Sequence, residues 1–136
     1  MPVEKYLLDA NVIIRFLAAD HSEHLEKAKQ LVSKAEIGKI ELVIMPWIVA
    51  EVVYVLSSVY GVDRKVLAEV LEVFLGGVGI TTEDYDVVID ALHRFAKTKV
   101  DYADALLAAY SVARQLSPAS FDRDLDKFKD VHRLNP

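Results

Sequence analysis

The stretch "ELVIMPWIVAEVVYVL", Glu41–Leu56, changes its geometry at Pro46. Its first five residues form a short run that is apolar after Glu41, which suits a buried strand. Pro46 fits the first turn of a helix, where its missing N–H would have found no partner anyway. From Trp47 to Leu56 a single charged residue, Glu51, stands among apolar neighbours, so this helix is expected to be buried on several sides or shared with a partner. A strand feeding directly into such a helix is the repeating unit of an α/β fold. A carboxylate buried there without a partner would cost several kcal/mol, which leaves pairing, neutralisation or a bound cation to account for Glu51.

The same alternation extends to both sides. "KYLLD" (Lys5–Asp9) suits a short strand, and "NVIIRFLAA" continues as a helix with its apolar face at Val12, Phe16 and Ala19. "DHSEHLEKAKQLVSKAE" opens with a capping box, Asp20 and Glu23, and Gly38 stops its helix. The helix after Pro46 ends at Gly61. After Asp63 a further helix turns Val66, Leu67, Val70, Leu71 and Phe74 inward. "GGVGIT" holds a third strand, Thr82 caps a helix over Glu83–Ala96, and another helix spans Asp101–Leu116. "PASF" (Pro118–Phe121) and "VHRL" (Val131–Leu134) suit late strands. The pattern predicts an α/β fold with three layers, α/β/α, around a central, mostly parallel sheet of about four or five strands.

At 136 residues the chain is expected to form one domain, 1–136. A chain of that size buries roughly 68–70% of its unfolded surface, so neither disulfide nor structural metal is needed for folding. There are no cysteines, which excludes a disulfide framework and any thiolate zinc site. "MPVEKYLLDANV" has no basic segment followed by a long apolar run, and no apolar segment suits a bilayer span. A cytoplasmic protein with no membrane partner is the expectation. Sixteen basic residues against twenty-one acidic ones give a net charge of −5, unlike a domain that grips nucleic acid mainly by its phosphates. If the substrate is nucleic acid, a local patch or bound cations must supply the attraction.

Functional groups in an open parallel sheet gather at the carboxyl ends of its strands. Asp9 ends the first predicted strand, Glu51 lies early in the helix leaving the second, and Asp122 follows "PASF". Asp101 and Asp104 open the helix before "PASF", so sequence-distant segments are expected to bring carboxylates to one edge. Singly, Asp9, Asp101 and Asp122 are plausible N-caps, and Asp104 suits a helix dipole. Glu51 lies past the capping positions; its alternative is a buried ion pair with Arg15 or Arg123. Crowded carboxylates with no histidine or thiolate suit Mg²⁺ or Mn²⁺. A cation so held can bind phosphate oxygens and assist in-line displacement at phosphorus.

Other constellations are weaker. "HSEH" sets His21 and His24 three apart, where a zinc-protease helix needs four, so a solvated face is the better reading. "GGVG" lacks the lysine of a phosphate loop. Tyr6, Tyr54, Tyr60, Tyr102 and Tyr110 are expected in the core and not as base-stacking platforms.

"LLDANVII", "VAEVVYVL", "DYADALLAAYS" and "SFDRDLDKF", in that order, resemble a PIN domain, closest to the VapC-type ribonuclease toxins of toxin–antitoxin pairs. The resemblance covers residue 5 to the C-terminus and places the family's acidic quartet on Asp9, Glu51, Asp104 and Asp122. It implies Asp9 and Asp104 as principal metal ligands, with Glu51 and Asp122 binding a second metal, holding a water or completing the outer shell. Asn11 and Ser120 would brace the site. Ala10 departs from the common threonine or serine, and the roles of Asp101 and Asp124 stay open. A Mg²⁺- or Mn²⁺-dependent endoribonuclease is implied, homodimeric, neutralised by an antitoxin protein, and leaving 5′-phosphate and 3′-hydroxyl ends. The apolar Trp47–Leu56 and Val66–Leu75 also favour a dimer. The competing readings are a catalytically silent PIN-like interaction module and another α/β phosphohydrolase. A haloacid-type phosphatase wants an aspartate where Asn11 stands, and a receiver wants paired early acids and a late lysine, neither of which is found.

Overall fold

The structure, a computed structural model, describes residues 2–20 and 22–136; His21, read as part of a solvated helix face, lies outside them. The elements run β1 (Glu4–Leu7), α1 (Ala10–Ala18), α2 (Ser22–Glu36), β2 (Ile40–Ile44), α3 (Pro46–Ser58), α4 (Arg64–Leu75), β3 (Ile80–Thr82), α5 (Tyr85–Lys97) and α6 (Tyr102–Arg114), then a 3-10 turn at Arg123–Lys127. Their contacts fall into two compact units, residues 1–83 and 84–136.

The first unit holds a parallel sheet in the order β1-β2-β3, with helices flanking it. Leu7 pairs with Val43, and Ile44 with Thr82. Leu42 and Ile44 of the central strand are fully buried, as a strand covered by helices requires. Gly79 sets the register of β3: its carbonyl accepts from Leu42 N–H, and its φ of +80° lies in the left-handed region that glycine enters freely. A Cβ built there would lie 2.3 Å from the Ala35 carbonyl oxygen.

Several helix faces differ from those expected. α1 buries Ala10, Ile13 and Ile14, while Ala19 is the exposed left-handed C-cap. α4 buries Leu67, Ala68, Leu71, Phe74 and Leu75 and leaves Val66 and Val70 outside. The Asp20 carboxylate accepts from Tyr60 Oη at 2.6 Å and Arg15 Nη1 at 3.4 Å. Thr82 is buried in β3, and Asp84 precedes α5 instead.

In the second unit α5 packs on α6, burying Val88, Ala91, Leu92 and Phe95 with Ala105, Ala108 and Ala109. Tyr110 Oη donates to Asp84 at 2.7 Å and ties the left-handed corner before α5 to α6. The fourth and fifth strands do not form among the described residues. Ala119 and Leu134 make one isolated parallel bridge, with Ser120 N–H donating to Leu134 and Leu134 N–H to Pro118. Pro118 has no N–H to donate, so on its side the pairing rests on its carbonyl alone, which accepts from Leu134 N–H. The sheet therefore has three strands, not four or five. Among the described residues no helix is long and apolar enough to cross a membrane.

Candidate functional site

In the first unit β1 and β2 are parallel neighbours, so their carboxyl ends lie at the same edge. Asp9 follows β1 by two residues. It caps α1, its Oδ2 accepting from Asn11 N–H at 3.3 Å. Asn11 thus touches Asp9 through its backbone, and both residues are exposed.

Glu51 stands in the second turn of α3, beyond β2, and it is exposed. The premise that it lies in oil is overturned. Ile48, Val49, Val52, Val53 and Leu56 take the buried side of α3, and Trp47, Glu51, Tyr54 and Ser58 share the open one. An apolar sequence all round a helix does not say which side is covered. A buried ion pair with Arg15 or Arg123 is thereby ruled out for Glu51, and Arg15 is itself engaged by Asp20 and Tyr60.

In the second unit Asp101 is the N-cap residue of α6, yet its side chain makes no cap hydrogen bond. Asp104 sits in the first turn of the same helix. Asp122 caps the 3-10 turn: its Oδ1 accepts from Asp124 N–H at 2.9 Å, while its own N–H donates to Ser120 Oγ at 3.0 Å. Ser120 thus orients the backbone of Asp122. The Asp104 carboxyl is pushed above the ordinary range, first by burial, then by the charge of Asp122 and a hydrogen bond shared with it, and further by Asp101 and Asp124. Three acids of the sequence, Asp122, Asp101 and Asp124, therefore act on Asp104 within this unit. Capping and crowding are not alternatives here: Asp122 does both.

Two observations bear on a metal. Among the described residues no group of three or more His, Asp or Glu side chains could hold an ion as placed. The pair Asp104–Asp122 offers oxygen donors only and holds like charges close together, the donor chemistry that a hard divalent cation fits.

Three tyrosines and the tryptophan lie outside the core that their sequence positions suggest. Tyr102 is buried as expected, but Tyr6, Tyr54 and Tyr60 are exposed, and so is Trp47. The signal was available in the spacing of Trp47, Glu51 and Tyr54, which puts both rings on the face of the one charged residue.

No curated protein matches the chain. Residues 6–131 match the family model of the PIN domain, a span that takes in Asp9, Glu51, Asp104 and Asp122 and includes residues of both units. Coverage of nearly the whole chain makes the assignment plain: this protein belongs to the PIN-domain family.

Proposed function

We propose that this protein is a metal-dependent endoribonuclease of one PIN domain, the toxin of a toxin–antitoxin pair. PIN domains are generally metal-dependent nucleases. The observation that carries the reading is the Asp104–Asp122 pair, in which burial and then the charge of Asp122 raise the Asp104 carboxyl. The acids of the reaction are Asp9, Glu51, Asp104 and Asp122, with Asp9 and Asp104 the principal ligands of Mg²⁺ or Mn²⁺. Such a cation neutralises phosphate oxygens and makes water a better nucleophile at neutral pH. Ser120 holds Asp122 in place through its backbone, and Asn11 holds Asp9. The exposed Glu51 carboxylate can take a proton or hold a water beside a phosphodiester. The chain carries a net charge of −5, so cations are also what lets it approach a polyanion. The partners are RNA, an antitoxin protein and a second copy of the chain; the exposed Val66, Val70 and Val73 of α4 are apolar surface that a dimer would cover.

The test is cleavage of a panel of single-stranded and looped RNAs, with Mg²⁺ and with EDTA, by wild type and Asp9→Asn. Asn keeps the shape of the side chain and removes its charge. Cleavage that leaves 5′-phosphate ends, needs the metal and is lost in Asp9→Asn supports the reading. Full activity in EDTA or in the variant overturns it.

A further inference from the structure

We infer that the open face of α3 is a base-stacking platform for single-stranded RNA, with Trp47 and Tyr54 holding nucleobases on either side of Glu51. The inference rests on the ribonuclease reading and deepens it by naming how the strand is held. Trp47 and Tyr54 are 64% and 69% exposed, unusual for large rings on an otherwise well-buried helix. Residues three and four apart share a helical face, so Trp47 lies one turn before Glu51 and Tyr54 one turn after it. The rings are therefore about 10 Å apart along the axis, with the carboxylate between them.

Chemistry chooses the occupant. α3 carries no Lys or Arg, so a protein closing over both rings would also strip water from Glu51 with no cation on the helix to answer it. Charged groups are depleted from the centres of protein interfaces for that reason. A single strand makes no such demand. Its bases have flat π-faces that stack on indole and phenol whatever their identity, while its sugar–phosphate chain and the Glu51 carboxylate stay in solvent. A base stacked on a ring has given up a base neighbour, so the strand must be open there, which excludes an intact duplex. The consequence for the reaction is register: two anchored bases set the phosphodiester that comes beside Glu51.

Trp47 is the only tryptophan, so its fluorescence reports on this face alone. The probe is a mixed-sequence single-stranded oligoribonucleotide, titrated into the full chain in Ca²⁺ buffer, with a duplex of equal length as control. Saturable quenching by the single strand and none by the duplex is expected. Tyr54→Ala should weaken binding and raise KM roughly 5- to 150-fold with a smaller change in kcat, and Tyr54→Phe should restore both. Far-UV circular dichroism and melting of each variant exclude misfolding. No quenching at strand concentrations above the KM overturns the platform, whether or not RNA binds elsewhere. Concentration-dependent quenching with self-association and no response to RNA also overturns it, and gives the face to a second copy of the chain. Wild-type cleavage that persists in EDTA would sink the metal-dependent reading alone, because the fluorescence titration does not depend on it.

Discussion

The Asp104 carboxyl is raised by burial and then by the charge of Asp122 beside it. Neither acid gains stability for the fold by standing against the other. Replacing Asp104 removes a repulsion and no cap, so Asp104→Ala should melt at the wild-type temperature or higher in EDTA. Asp122→Ala and Asp9→Ala behave differently, because each loses a cap. The expected cost is about 0.5–2 kcal/mol, nearer the upper end for Asp122 and nearer the lower for Asp9. The order follows their hydrogen bonds, 2.9 Å and 3.3 Å. With Mn²⁺ the ranking should reverse. Wild type gains about 2.7 kcal/mol at a hundredfold excess over Kd, and Asp104→Ala gains far less. A clear loss of stability for Asp104→Ala in EDTA would make Asp104 a structural acid.

Ca²⁺ should protect the protein against heat yet support little cleavage. Its coordination is larger and looser than that of Mg²⁺, so it neutralises the acids without fixing a water in line with phosphorus. Paired melting and cleavage assays in Mg²⁺, Mn²⁺ and Ca²⁺ supply the comparison. Equal cleavage rates in Ca²⁺ and Mg²⁺ would argue that the ion is a counterion only.

Arg94 joins α5 to Asp130 through an ion pair that pH exposes. Its guanidinium, 12% exposed, donates to Asp130 at 2.8 and 2.5 Å and to Asp90 at 3.0 Å, and lies 5.1 Å from the centre of the Phe128 ring. The hydrogen bonds from Arg94 hold the Asp130 carboxyl below its ordinary value of 3.8. A carboxylate depressed on folding adds stability above its unfolded pKa, and that stability is lost as pH falls through the folded one. Asp130→Asn should therefore be less stable than wild type at neutral pH, and the gap should close in acid. The effect should be small, because Asp130 is half exposed and water screens the pair. Arg94→Ala should cost more, about 1–3 kcal/mol, since it also empties the space over Phe128. A gap that persists unchanged at low pH would mean that the ion pair contributes nothing.

Much of this was legible in the chain because it rests on local rules. Pro46 marks the start of α3 as its missing N–H dictates, and the runs around Tyr6, Leu42 and Ile80 pair in parallel as the alternation with helices requires. The unread parts depend on what lies opposite. Composition cannot say which side of α3 is covered, so Glu51, Trp47 and Tyr54 were placed in a core from which the fold leaves them out. Val66 and Val70 fit the inner stripe of α4 by spacing, but Ala68 and Leu75 occupy it. The run at Pro118–Phe121 has the apolar character of a strand, yet it pairs through a single bridge, Ala119 with Leu134.

Gly79 and Gly38 offer a matched pair for testing how β3 is seated. Both have φ near +80°, so alanine at either position meets left-handed strain of roughly 1–2 kcal/mol. Beyond that they differ. A Cβ at Gly38 meets nothing within 4 Å, whereas at Gly79 it would lie 2.3 Å from the Ala35 carbonyl oxygen and 2.6 Å from its carbon. Those are backbone atoms of the last turn of α2, and they cannot swing aside as a side chain can. Accommodating the methyl requires moving α2 or withdrawing β3, the strand that pairs with β2 through Leu42 and Ile80. Gly79→Ala should therefore cost about 2–5 kcal/mol, strain and overpacking together, against about 1–2 for Gly38→Ala. Urea midpoints at equal m-values measure the difference directly. Equal losses for the two variants would show that β3 is not pinned on α2.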